Sequence, residues 1–337
     1  MAGGPIDVQQ GDGDRPVITY LRVTNMHFRS TGPDLCIADR KAHPMIQRNI
    51  QRITTAPFHP GFLGEGHRAA AVVDGQDFPR TDPFIILMDD RLDLPGGEPV
   101  GGPHPHAGFE TATFVLQGSG AHWPTGSYEL MTAGKGIVHT EEITDPTNVR
   151  ILQLWLALPP EQRWAEPRWQ RILVEQVPTH RTDGAEVRVY SGSSHGFSSP
   201  IRNHTPFTLL DVHLRAGSST TLEVPAAYRG FLLMIDGTVD AAGTELRTDQ
   251  AGWLDAHSAE DTSAITLRAI TDARVLLYAA RPHGAPIVSH GPFIGDSQAD
   301  IMRLYQEYRQ GKMPHLNDLA QDRKALYDGA DVQFDPR

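Results

Sequence analysis

Short apolar segments separated by turn residues recur along the chain. In the first half they fall at residues 70–73, 84–88, 110–116 and 151–158, and in the second half at residues 208–214, 220–224, 231–235, 265–270 and 275–278. Each segment is rich in aliphatic or aromatic residues and is bounded by turn-forming residues, which is typical of β-strands. The pattern predicts an all-β protein with two β domains.

A stretch at residues 159–168 that contains three prolines separates the two series of strands. Proline and charged residues are common at domain boundaries, so we place the junction at about residues 159–182. The predicted organisation is a flexible segment at 1–16, an N-terminal barrel at 17–170, a C-terminal barrel at 171–312 and a tail at 313–337. A further strand is predicted at residues 19–23.

The hydrophobic pattern changes to a helical period near the end of the second domain. Ser297 is a suitable N-cap, and Ile301, Leu304, Tyr305 and Tyr308 then share one helical face. Glycine at position 311 and proline at position 314 are typical of a helix end. We predict a short C-terminal helix at about residues 297–310, packed on the strands.

Composition and charge exclude several classes of partner. The chain has 30 lysines and arginines against 41 aspartates and glutamates, a formal net charge of -11. This charge repels nucleic-acid backbones and anionic membrane surfaces, so we expect no direct nucleic-acid partner and no membrane partner. Cys36 is the only cysteine, which excludes a disulfide framework and a thiolate zinc site.

The N-terminus has neither the basic start nor the apolar stretch of a secretory signal. The apolar runs are also much shorter than the roughly 20 residues that span a bilayer. We therefore expect a cytoplasmic protein, or a nuclear one if the source is a eukaryote.

Two pairs of metal-ligating residue types lie in the strand-rich first half: His104 with His106, and His139 with Glu141. Alternate side chains of an extended strand share a face, so each pair can present two ligands together. Three imidazoles and one carboxylate suit Fe(II), Mn(II), Ni(II), Cu(II) or Zn(II) and leave coordination positions open. We predict a metal site at these four residues.

Other interpretations of nearby residues stay open. His104 and His106 alone fit an exposed loop equally well, and the second pair is what favours a metal site. Glu110 is either a further ligand or an acceptor that orients a histidine. Candidate residues for the lining of a substrate pocket are Phe109, Phe114, Trp123 and Met131, although core packing is the simpler interpretation of each.

Longer motifs resemble those of a known family. They are 82–84 (DPF), 103–111 (PHPHAGFET), 131–141 (MTAGKGIVHTE), 152–155 (LQLW), 204–206 (HTP) and 291–293 (GPF). In these motifs, which extend over about residues 50–312, the chain resembles the pirin family of the cupin superfamily.

The resemblance implies two stacked cupin barrels with iron bound only in the N-terminal barrel. By motif position the ligands are His104, His106, His139 and Glu141, the metal is Fe(II), and Glu110 lies outside the ligand set. Bacterial pirins are similar to quercetin 2,3-dioxygenases, which open the flavonol ring with O2 and release carbon monoxide. Other pirins are nuclear regulatory cofactors whose iron state governs a protein partner.

Two functions follow as expectations from this resemblance. The first is a metal-dependent dioxygenase for quercetin or a related enol-bearing aromatic, in which Glu141 is both ligand and catalytic base. The alternative is an iron-dependent, redox-sensing regulatory protein that binds a protein partner.

The chain departs from the family between Gly118 and Gly126, where pirins commonly carry a longer hairpin at the mouth of the barrel. The family's metal ligands can therefore be assigned to this chain more securely than the family's substrate.

Overall fold

A computed structural model of the chain describes residues 45–119, 122–259 and 261–327. Cys36, the predicted flexible segment at 1–16 and the predicted strand at 19–23 lie outside these residues. Among the described residues, no helix is both long and apolar enough to cross a bilayer.

The all-β prediction is confirmed, and the apolar segments of the sequence lie in strands. Strands in the first part of the chain are β1 (Ile46–Gln47), β2 (Ile50–Thr55), β3 (His59–Pro60), β4 (His67–Val73), β5 (Phe84–Leu94), β6 (His104–His106), β7 (Phe109–Gln117), β8 (Tyr128–Thr132), β9 (Ile137–His139), β10 (Thr147–Ala157) and β11 (Arg168–Ile172).

Strands in the second part of the chain are β12 (Thr179–Thr182), β13 (Ala185–Ser191), β14 (Ser193–Ser194), β15 (Phe197–Ser198), β16 (Phe207–Leu214), β17 (Ser219–Pro225), β18 (Arg229–Asp236), β19 (Thr238–Ala241), β20 (Thr244–Arg247), β21 (Gln250–Leu254), β22 (Thr262–Ala269), β23 (Ala273–Ala280), β24 (Val288–His290), β25 (Phe293–Gly295) and β26 (Lys324–Tyr327). Short 3-10 helices lie at Pro160–Gln162, Val174–Gln176, Leu316–Asp318 and Gln321–Arg323.

Two α-helices accompany the strands: α1 (Phe78–Thr81) and α2 (Gln298–Arg309). Helix α2 begins and ends within one residue of its prediction, because the Ser297 hydroxyl accepts a hydrogen bond from the Asp300 amide and caps the helix. Ile301 and Leu304 are buried as expected. Tyr308 is 38% exposed, so its predicted place on the buried face is wrong.

The largest sheet carries the candidate site. Within the described residues its strands follow the order β26-β11-β8-β7-β10-β5-β4-β3, and only the β11–β26 pair is parallel. Strand β7 is buried from Phe109 to Leu116, which accounts for its nearly continuous apolar and threonine sequence. Strands β6 and β9 form a separate two-stranded ribbon.

The second half of the chain forms two further sheets. One has the strand order β12-β13-β16-β23-β18-β21-β2, and the other has the order β1-β22-β19-β20, with β17 also paired to β22. Their apolar faces meet in a core that includes Val187, Leu210 and Leu277. A different core joins the first half to the second, with the Phe84 ring 5.3 Å from the Phe231 ring.

The strands at both ends of the described chain pair with strands outside their own predicted ranges. Strand β1 pairs with β22 and β2 pairs with β21, although the sequence placed residues 46–55 with the N-terminal barrel. Between them, the Arg48 side chain is fully buried and donates to Asp255 and to the Tyr228 carbonyl. At the other end, β26 from the predicted tail pairs with β11. These edge strands satisfy backbone groups that sheet edges would otherwise expose.

The domain junction itself stays a prediction. Strand β11 continues to Ile172, two residues beyond the predicted boundary at 170, and pairs there with β8 of the first half.

Asp211 provides a test of the second half's stability. Burial alone would raise the pKa of this carboxyl, but hydrogen bonds from His213 and Arg274 outweigh burial and hold its pKa at about 2. Because the folded pKa lies below the unfolded pKa, the stabilisation is present above about pH 4 and is lost as the pH falls toward 2. The loss corresponds to about 2 kcal/mol of unfolding free energy.

We expect Asp211→Asn to remove this part of the acid sensitivity. Urea unfolding at pH 5, 3.5 and 2 should show a decline in unfolding free energy that is smaller in the variant by about 2 kcal/mol. The exposed Asp236→Asn is the control. Equal declines in the wild type and Asp211→Asn would contradict this account.

Candidate metal centre

The ribbon of β6 and β9 brings the predicted histidines together. The two strands are antiparallel, with His104 opposite His139 and His106 opposite Ile137. Since side chains alternate along a strand, His104 and His106 lie on one face of β6, as predicted. The sharp turn before β9 depends on Gly134, where φ is +50° and a Cβ atom would lie 1.9 Å from the Ala165 carbonyl oxygen.

Three imidazoles form a compact cluster at this ribbon. One ring nitrogen from each of His104, His106 and His139 lies within 4.8 Å of the others. The Nε2 atoms of His104 and His139 are 2.9 Å apart. Nδ1 of His104 donates to the Gly102 carbonyl at 2.9 Å, which fixes the ring with its Nε2 toward the cluster.

Burial keeps two of these imidazoles neutral. It lowers the pKa of His106 well below its usual value, and repulsion from the charged forms of His139 and His104 lowers it further. Burial also lowers the pKa of His139 to about 3, with smaller contributions from His104 and His315. A neutral imidazole has the free lone pair that a metal ligand requires.

Glu141 lies beside the cluster rather than within it. Strand β9 ends at His139, so residues 139 and 141 do not share one regular strand as the sequence analysis assumed. The Glu141 amide donates to the Gly101 carbonyl at 3.0 Å, and its carboxylate accepts from Gln153 Nε2 at 2.9 Å. Burial raises the pKa of Glu141, and His104 partly opposes this effect. Its role as fourth ligand stays a prediction.

A cavity of about 200 Å³ adjoins His139 and Glu141. Trp123 and Met131 line it, although core packing was the simpler interpretation of each from the sequence. Phe109 instead stacks on Trp155 at 4.3 Å, and Phe114 packs in the core against Tyr190 at 4.7 Å. The other residues that line the cavity are Thr111, Thr113, His122, Glu129, Thr140, Trp169, Arg171 and Leu316.

Glu110 takes neither of the roles considered from the sequence. Its carboxylate is fully buried and accepts hydrogen bonds from Thr132 Oγ1 at 2.9 Å, the His204 amide at 3.1 Å and Asn203 Nδ2 at 3.3 Å. Its hydrogen bonds therefore link β7 to residues 203–204 and orient no histidine of the cluster. The reason is strand alternation, which places Glu110 on the same face of β7 as the core residues Ala112 and Phe114.

Residues 313–316 also contribute to the site, although no candidate residue was predicted there. The Val138 amide donates to the Pro314 carbonyl at 2.9 Å, and His315 Nε2 lies 3.1 Å from Thr140 Oγ1. Leu316 lines the cavity. No local pattern in the sequence indicated this contact, because it joins residues about 175 positions apart.

The residues present fit a divalent metal. Two neutral buried imidazoles and a third oriented by a carbonyl converge, with a carboxylate nearby and a cavity beside them. This donor set suits borderline metals such as iron, nickel or zinc, and it supplies fewer ligands than an octahedral metal takes, which leaves positions open.

Comparison with known proteins agrees with this geometry. The family model "Pirin" matches residues 67–156, and the model "Pirin C-terminal cupin domain" matches residues 209–314. A pirin-like protein of Solanum lycopersicum is 31% identical over 258 residues, which cover 74% of this chain and 88% of the relative.

Solved structures show the same fold. Quercetin 2,3-dioxygenase from Acinetobacter baumannii superposes with a TM-score of 0.68 at 24% identity, covering 79% of this chain and 98% of that one. The bacterial pirin YhhW of Escherichia coli in complex with nickel(II) superposes with a TM-score of 0.51 at 20% identity, covering 68% and 99%. The fold is thus mostly β, with two cupin domains and a short helix. The chain belongs to the pirin family.

Proposed function

We propose that this protein is a metal-dependent dioxygenase that acts on quercetin or a related enol-bearing aromatic with O2. The observation that carries the proposal is the convergence of three imidazoles at the edge of a cavity that also contains the Glu141 carboxylate. Family membership and the dioxygenase fold neighbour support it.

His104, His106 and His139 would hold the metal through ring nitrogens, and Glu141 would complete the set as the fourth ligand. Fe(II) is the proposed metal. Manganese, nickel, copper and zinc remain alternatives, because the same donors bind several of these ions and affinity alone does not select iron.

A bound metal would orient the substrate and stabilise the negative charge of its deprotonated hydroxyl. Glu141 is the group placed to take that proton, because its carboxylate lies in the cavity and burial raises its pKa above the usual value. Gln153 Nε2 donates to Oε1 of Glu141 and holds the carboxylate in place.

The cavity suits a flat aromatic molecule. Trp123, Trp169, Met131 and Leu316 supply apolar surface to the cavity. A second cavity of about 390 Å³ also has His122 and Trp123 in its lining. Trp123, from the 118–126 segment where pirins commonly carry a longer hairpin, therefore borders both cavities.

The alternative of a redox-sensing regulatory protein stays a hypothesis. No feature of residues 45–119, 122–259 or 261–327 identifies a protein partner, whereas the cavity beside the imidazoles is what a small-molecule reaction requires. The cytoplasmic location also stays a prediction.

The metal ligands can be tested by metal content. We expect about one metal ion per chain after anaerobic Fe(II) loading, and loss of most of that ion in His104→Ala, because the two imidazoles and one carboxylate that remain hold the metal less tightly through washing. Mass spectrometry of metals on the washed protein gives the ratio. The exposed His59→Ala, which is remote from the site in sequence, is the matched control. Full metal content in His104→Ala would overturn the assigned site.

The role of Glu141 can be tested separately. We expect Glu141→Gln to retain part of the metal, since three imidazoles remain, but to lose quercetin turnover by about a hundredfold or more because the amide takes no proton. Quercetin consumption and carbon monoxide release under O2 measure turnover, and Glu142→Gln, at the exposed neighbouring position, is the control. Wild-type turnover in Glu141→Gln would show that the base lies elsewhere.

A further inference from the structure

Four adjacent strands beside the imidazoles have an ordered pattern of side chains, and those on β7, β8 and β11 line the cavity. Across β10, β7, β8 and β11 the residues Gln153, Thr113, Glu129 and Arg171 stand directly opposite one another in successive strand pairs. Directly paired residues point to the same face of a sheet, so these four side chains form one line. We call it the polar row.

A parallel line of residues lies two positions away on the same strands. It consists of Trp155, Thr111, Met131 and Trp169. Trp155 at one end packs against the His106 ring at 5.1 Å. Thr111, Met131 and Trp169 of this second line border the cavity beside the polar row.

Hydrogen bonds connect the polar row to the proposed metal site. The side-chain Nε2 of Gln153 donates to Glu141 Oε1 at 2.9 Å and to Thr113 Oγ1 at 3.4 Å. Glu129 and Arg171 stand at the other end of the row. A molecule that reaches Glu141 from within the cavity therefore extends toward Glu129 and Arg171.

Glu129 has acceptor capacity that its neighbours do not fill. Its Oε1 lies 3.2 Å from Arg171 Nε, and its Oε2 accepts from Trp169 Nε1 at 3.3 Å. A carboxylate accepts about four hydrogen bonds, so these two donors leave room for donors from a bound molecule. The Glu129 side chain is 34% exposed, and both Glu129 and Arg171 line the cavity.

We propose that Glu129, held in place by Arg171, determines substrate specificity by accepting hydrogen bonds from hydroxyl groups at the end of the substrate that is remote from the metal. This inference rests on the proposed function and narrows it to polyhydroxylated aromatics. The Glu129 carboxylate accepts from a remote hydroxyl. The Arg171 guanidinium, whose Nη2 donates to the His122 carbonyl at 3.2 Å, orients Glu129. Thr113 and Gln153 continue the polar surface toward Glu141.

Two flavonols test the proposal by binding, without turnover. Quercetin and 3-hydroxyflavone share the same chelating end, but only quercetin carries hydroxyls on the remote rings. Binding to the Zn(II)-loaded protein under anaerobic conditions, followed by quenching of tryptophan fluorescence, gives a Kd for each. The variants are Glu129→Gln, which keeps the side-chain shape, and Arg171→Gln. The control is Glu245→Gln, which breaks a surface pair with Arg247 at 2.7 Å in the second half.

We expect the wild type to bind quercetin more tightly than 3-hydroxyflavone. Glu129→Gln should weaken quercetin binding by about tenfold, the usual effect of losing a hydrogen bond to a charged acceptor, and leave 3-hydroxyflavone unchanged. Arg171→Gln should act in the same direction, and Glu245→Gln should change neither affinity.

The other outcomes distinguish a failure of the specificity role from a failure of the proposed function. If both flavonols bind the wild type and each variant shifts them equally or not at all, the specificity role is overturned while the proposed function stands. If the metal-loaded wild type binds neither flavonol, the proposed substrate class fails and the specificity role fails with it.

Discussion

The antiparallel pairing of β6 with β9 is the constraint on which the candidate site depends. The register sets His104 opposite His139, and strand alternation keeps His106 on the face of His104. A slip of one residue would turn these side chains away, so backbone hydrogen bonds determine the geometry of the imidazole cluster. Each strand has only three residues, and the ribbon relies on support from outside, including the Pro314 carbonyl and the Gly108–Gly134 hydrogen bond.

Features that depend on local periodicity could be predicted from the sequence. The main strands follow from short apolar runs, and α2 follows from its Ser297 cap and its spacing of Ile301 and Leu304. His104 and His106 could be predicted together for the same reason, because alternation along one short strand places them on one face, whereas His139 joins them through the pairing of β6 with β9. The second pair, His139 with Glu141, then favoured the metal interpretation over that of an exposed loop.

Features that depend on which strands pair could not be predicted from local patterns. Strand β2 pairs with β21, and β26 pairs with β11. Each of these partners is far away in sequence, at the edge of a sheet. The same limit applies to the polar row, since Glu129 and Arg171 become neighbours only through the β8–β11 pairing. Glu110 is different, because its alternation with Ala112 and Phe114 already indicated that its side chain faces the core. Its position close to His106 in the sequence favoured a role near the metal instead.

The central claim is that His104, His106, His139 and Glu141 hold one metal. X-ray absorption spectroscopy of the Fe(II)-loaded, full-length protein measures this coordination directly. The account predicts three imidazole nitrogens and one carboxylate oxygen, at about 2.0–2.2 Å, the distances usual for divalent metals of this kind. Iron surrounded by water and carboxylate oxygens, without multiple imidazole scattering, would contradict it.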